Sequence, residues 1–95
     1  MSAYVIVQIN ITNEEKYKEY LNKVTNIVEK FNGKYIVRAG KYKVMLGQWN
    51  YKRNVIVEFP DYETAINWYN SEEYSPIKKI REDNSDGNVM IIEGN

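Results

Sequence analysis

The chain reads as an α+β domain built in the order β-α-β-β-α-β. Three observations predict it. Residues 3–11 alternate apolar and polar like a strand, and the next twenty residues switch to helical spacing. Two further β-rich runs, Lys34–Arg38 and Arg53–Phe59, are separated by a loop with no helical periodicity. A second helical stretch then leads into a last short apolar run, Val89–Glu93.

Each element has its own signal. In the first strand Val5, Val7, Ile9 and Ile11 share one face, and Tyr4, Ile6, Gln8 and Asn10 share the other. Thr12 with Glu15 three residues on reads as a capping box. The helix that follows carries a stripe of Tyr17, Tyr20, Leu21, Val24, Ile27, Val28 and Phe31, and Asn32-Gly33 ends it with Gly33 suited to the left-handed position. Ala39-Gly40 invites a bulge or bend after the second strand. Tyr42, Val44 and Leu46 extend it as an arm, and Gly47 to Lys52 form the turn into the third strand.

Pro60-Asp61 stops that strand and caps a second helix with the stripe Tyr62, Ala65, Ile66 and Tyr69. Ser71 breaks it, and Ser75-Pro76 restarts a helical segment with Ser75 as N-cap. Asp83–Asn88 reads as a polar turn before the last strand. This is the split βαβ, or ferredoxin-like, pattern: a single domain over residues 1–95, with a four-stranded antiparallel sheet and helices on one face.

Composition excludes several functions. Lys+Arg and Asp+Glu number 13 each, so a general nucleic-acid or anionic-membrane binder is not expected. There is no cysteine and no histidine, which removes disulfides, thiolate and imidazole catalysis, and the usual zinc and haem ligands. Proton transfer would fall to Asp, Glu, Lys or Tyr. No metal site and no cofactor are expected. A signal peptide and a membrane span are not visible, so the expected location is cytoplasmic.

The second face of the sheet mixes Tyr4, Ile6, Ile56, Met90 and Ile92 with a few polar groups. That is a poor solvent face, and a homodimer closed sheet against sheet is the expectation. Trp49 and Tyr51, at the hairpin tip, suit contact with a partner subunit. Asn10 either orients a ligand or bonds nearby backbone.

Two charges interrupt strands that otherwise look buried: Arg38 and Glu58. They form either an ion pair across the hairpin or part of a polar pocket. Arg38 suits a carboxylate or phosphate. Glu58 is a weak candidate base and a candidate ligand contact. Trp68 lies off its helix stripe and could line a gap between helix and sheet. Tyr17, Tyr20 and Tyr69 are at core spacing, with hydroxyls that need partners or reach a cavity. Arg81 could meet an anion in the same pocket, be solvated, or form an intersubunit salt bridge. Aromatic groups on such a sheet also occur in RNA-binding modules, but strand three lacks their basic Gly-aromatic signature.

Several runs, taken in order, resemble one family. These are Gly33-Lys-Tyr-Ile-Val-Arg38-Ala-Gly40, Leu46-Gly47-x-Trp49 and Arg53-x-Val55-x-Val57-Glu58-Phe59-Pro60. Ala65-x-x-Trp68-Tyr69-x-Ser71-x-x-Tyr74, Arg81 and Ile91-Ile92-Glu93-Gly94 continue the match. Together they resemble the DUF1330 family of the dimeric α/β-barrel superfamily, over nearly the whole chain. The resemblance implies a homodimer whose two sheets form a barrel. It implies no established reaction. Superfamily relatives include cofactor-free monooxygenases, isomerase-like enzymes and haem proteins, which carry over only as analogy of fold. The family usually shows two glycines after the strand-two arginine, where this chain has Ala39-Gly40. The expected function is binding of a small anionic or aromatic molecule between helices and sheet. The alternatives are a non-enzymatic dimeric structural or regulatory module, and a cofactor-free monooxygenase- or isomerase-like enzyme.

Overall fold

The computed structural model describes residues 1–95. Its elements are β1 (Ala3–Ile11), α1 (Glu14–Lys30), β2 (Lys34–Arg38), β3 (Arg53–Phe59), α2 (Tyr62–Tyr69), α3 (Ser75–Asp83) and β4 (Ser85–Glu93). The sheet is antiparallel in the order β2-β3-β1-β4. This confirms the α+β ferredoxin-like architecture, with the second helical region divided into two helices. No helix is long and apolar enough to cross a membrane.

Alternation along β1 and β3 decides what is buried. Ala3, Val5, Ile9, Val55, Val57 and Phe59 point beneath the helices and are buried. From α1 they meet Tyr17, Tyr20, Val24 and Val28, and from the α2–α3 region Ala65, Trp68 and Tyr74. Each such large apolar side chain contributes about 1.5–3 kcal/mol by leaving water.

Local chemistry moves several boundaries. Asn13, not Thr12, caps α1, with its side-chain oxygen accepting from the Lys16 amide at 3.0 Å. The Thr12 amide is already committed to the Asn84 carbonyl at 2.9 Å, so the helix starts one residue later. At the far end of α1 it is Asn32 that takes the positive φ, 64°. Gly33 serves packing instead: a Cβ there would lie 2.6 Å from the Phe59 ring. The α2 stripe is rotated from its expected phase, burying Ala65 and Trp68 while Tyr62 is 43 % exposed. Ser71 makes the break between α2 and α3. Its hydroxyl donates to the Trp68 carbonyl at 2.8 Å and accepts from the Tyr74 amide at 3.1 Å. The residue preceding α3 is Tyr74, with no side-chain cap, so Ser75 stands at the first helical position rather than at the N-cap.

The polar run before the last strand is not a free turn. β4 begins at Ser85, and Gly87 lies opposite Ile9 on β1. A Cβ on Gly87 would sit 2.0 Å from the Gln8 carbonyl oxygen, so only glycine permits this pairing. Residues 39–52 form an exposed loop without regular structure, rather than an extended strand arm. Asn10 fastens its end to β1: its side chain donates to the Asn50 carbonyl and accepts from the Lys52 amide, both at 2.9 Å. A backbone role is formed, but with the distant loop at Asn50 and Lys52, where the expectation was the local backbone before the capping box.

Candidate functional site

β2 and β3 begin in simple register, with Lys34 opposite Glu58 and Tyr35 opposite Val57. A bulge at Ile36 then shifts the pairing, so Val37 faces Ile56 and Arg38 faces Val55. One extra residue moves the following side chains to the opposite faces. Arg38 therefore joins the helix-covered face. There its guanidinium donates to the Thr25 hydroxyl on α1 at 3.0 Å and lies 4.1 Å from the Tyr35 ring centroid.

Glu58 stays on the opposite face, between Lys34 on β2 and Tyr4 on β1. The Arg38–Glu58 ion pair does not form. The bulge lies at Ile36, three residues before the Ala39-Gly40 pair, and at Ala39 the chain makes the bend that was the other expectation there. Ala39 takes a positive φ of 55°, and its amide donates to the Asn54 carbonyl at 2.9 Å.

Between helices and sheet lies a cavity of about 20 Å³. Six of the seven sequence candidates line it: Arg38, Tyr17, Tyr20, Trp68, Tyr69 and Arg81. Glu58 does not. Three contributors escaped the sequence reading: Arg53 at the start of β3, Tyr35 on β2, and Tyr74 before α3. All three stand within the runs that resemble the family, but no periodicity singled out Tyr74. Arg53 and Tyr35 looked like ordinary strand residues.

Trp68 is the hub of the aromatic wall. Its ring stacks on Tyr74 at a centroid distance of 4.3 Å and contacts Phe59 at 5.2 Å and Tyr69 at 5.8 Å. The Tyr20 and Tyr74 hydroxyls share a buried hydrogen bond of 2.8 Å. Burial pushes the Tyr74 hydroxyl up to about 12, and burial together with Tyr74 holds Tyr20 well above the usual tyrosine range. Both are neutral phenols at physiological pH.

The charge lining the cavity is all of one sign. Arg38, Arg53 and Arg81 line the cavity and no carboxylate does. All three guanidinium groups act on Tyr17. Burial raises its pKa, and the pull of Arg53, then Arg81, then Arg38 opposes the rise without cancelling it. Arg81 is only 5 % exposed, so its burial is the most costly. It donates to the Tyr69 hydroxyl at 3.0 Å, and the nearest carboxylate, the exposed Glu82, is 4.0 Å away. Burial works against its charge, but the tyrosines outweigh it, Tyr74 by its charge interaction and Tyr69 by the hydrogen bond, so its pKa is raised. The Nε atoms of Arg53 and Arg81 and the indole nitrogen of Trp68 are buried without a partner. Such an arrangement attracts and orients an anion.

Known structures share the fold at low identity. A protein of unknown function from Rhodopseudomonas palustris matches with a TM-score of 0.78 and 13 % identity, over 99 % of this chain and 82 % of that one. SnoaB from Streptomyces nogalater, a cofactor-independent oxygenase, matches with a TM-score of 0.62 and 5 % identity, over 99 % and 93 %. An EthD-family protein from Bacillus halodurans matches with a TM-score of 0.58 and 14 % identity, over 100 % and 99 %. No curated protein matches by sequence. The family described as "Domain of unknown function (DUF1330)" matches residues 2–95, and the chain belongs to it.

Proposed function

We propose that this protein is a homodimer, joined through the uncovered face of its sheet, that binds a small anionic or aromatic molecule in the helix–sheet cavity of each protomer. One observation carries the binding reading: Arg38, Arg53 and Arg81 converge on an aromatic cavity that contains no carboxylate. A purely structural cluster of this kind would neutralise its guanidinium groups with acids.

The dimer rests on the opposite face. Ile36, Met90 and Ile92 are 46, 52 and 47 % exposed there and in the neighbouring strand edge, and Met45 and Leu46 on the adjoining loop are 83 and 91 % exposed. Loop and sheet together frame a largely apolar hollow of about 480 Å³ that includes Ile6, Ile56 and Trp49. A surface this apolar is the kind that a second subunit covers.

The alternative of a structural module braced by Arg38 and Glu58 loses its strut, because the two side chains occupy opposite faces. A reaction in the cavity would have no carboxylate base among its lining groups, and would rely on the arginines to stabilise an anion. Light scattering and native mass spectrometry test the reading together. The expected result is a dimer that retains a small molecule or is stabilised by members of a metabolite panel. A monomer that no metabolite stabilises would refute it.

A further inference from the structure

The polar atoms left over inside the cavity narrow the ligand further. The Nε atoms of Arg53 and Arg81 and the Nε1 of Trp68 are buried without partners, and all three residues line the same space. Each is a donor and none can accept. Trp68 and Arg81 are only 3 and 5 % exposed, so bulk water does not satisfy them readily. The Tyr20–Tyr74 pair makes one hydrogen bond between two hydroxyls, which leaves one further proton to donate. A matching occupant accepts hydrogen bonds and carries negative charge. The aromatic walls, Tyr17, Tyr20, Trp68 and Tyr74, favour a flat organic body over a bare inorganic ion.

Size shows what must move. A volume of about 20 Å³ admits little more than one water. A cleft of about 330 Å³ on the α3–β4 side, which also carries Glu82 and Asp86, shares Tyr69, Arg81 and Val89 with the cavity. Tyr69 and Arg81 line both spaces and are joined by a 3.0 Å bond in which the guanidinium donates to the hydroxyl. Moving the Tyr69 side chain aside would free that donor of Arg81 and open the cavity toward the cleft.

We infer that the site takes an aromatic carboxylate, whose carboxylate replaces the Tyr69 hydroxyl as the acceptor for Arg81 while its ring packs among Tyr17, Trp68 and Tyr74. This rests on the pocket reading above and specifies it. The planar carboxylate matches the fork of guanidinium donors, and the buried indole N–H supplies a further donor.

Fluorescence titration tests it. Trp49→Phe leaves Trp68 as the sole tryptophan reporter. The probes are benzoate, benzamide, benzylamine and inorganic phosphate. Benzoate is expected to shift Trp68 emission and to bind at least about ten-fold tighter than benzamide, with benzylamine and phosphate weaker still. Arg81→Gln is expected to remove the benzoate preference. Tyr69→Phe, which deletes the competing hydroxyl, is expected to tighten benzoate binding by about three- to ten-fold, and it carries the test should Arg81→Gln not fold. Equal binding of benzoate and benzamide, or tighter binding of phosphate, overturns the carboxylate assignment and leaves the pocket reading standing. Weaker benzoate binding by Tyr69→Phe overturns the displacement of Tyr69. If no aromatic probe perturbs Trp68, both the assignment and the pocket reading fall.

Discussion

Arg38 and Glu58 sit on neighbouring strands and point to opposite faces of the sheet. A single bulged residue, Ile36, separates them: the pairs before it place Glu58 opposite Lys34, and the pairs after it place Arg38 opposite Val55. Arg38 thereby reaches Thr25 beneath α1, and Glu58 is left beside Tyr4.

Arg38→Met and Glu58→Gln should therefore act independently. Measured by chemical denaturation, the double variant is expected to lose the sum of the single losses, within about 0.5 kcal/mol. A larger coupling term would show that the two charges interact.

Ala39 holds a φ of 55°, which L residues other than Asn and Asp rarely adopt. Ala39→Gly should relieve that strain and raise stability by about 1 kcal/mol. Thermal melting should rise by roughly 4–8 °C for a domain of this size. An unchanged or lower melting temperature would contradict a strained Ala39.

Burial of the Tyr20–Tyr74 pair sets an alkaline limit on the fold. In the unfolded chain Tyr74 would ionise near its ordinary value of 10.0, but in the folded protein burial pushes it up to about 12. The folded state therefore holds its proton over a range in which the unfolded state has lost it. This stabilisation is complete below about pH 10 and is lost as pH rises to about 12. Circular dichroism and phenolate absorbance followed over that range should show the fold loosening as the buried tyrosines ionise. Tyr74→Phe, which strands the Tyr20 hydroxyl, should cost about 1–3 kcal/mol at neutral pH. Full ionisation of all tyrosines near pH 10 with the fold intact would refute the buried pair.

Gly87→Ala should break the pairing of β1 with β4. The added Cβ would lie 2.0 Å from the Gln8 oxygen and 2.7 Å from the Ile9 Cα, backbone atoms that cannot step aside without moving the strand. The expected loss is about 3 kcal/mol, with hydrogen exchange rising first along β4. Wild-type protection of β4 in this variant would contradict the close approach.

The elements were legible because they rest on local signals. The alternation in β1, the stripe of α1 and the break at Ser71 each lie within a short stretch of chain, and all three stand in the structure. Much of the cavity lining was legible too, since Arg38, Trp68 and Arg81 each stood out from the sequence around them. Arg53, Tyr35 and Tyr74 were not, because a strand arginine and two more tyrosines look ordinary until the packing places them.

The order of strands and helices, the faces of β1 and β3, the membership of the DUF1330 family and the lack of imidazole and thiol side chains can all be read along the chain. The partners of the charges emerge only when the strands pair. A bulge is a property of two paired strands, and nothing within Lys34–Arg38 alone fixes which residue will be the extra one. That choice turned Arg38, still exposed, to the helix-covered face, where it lines the cavity with Arg53 and Arg81, and left Glu58 on the other side of the sheet.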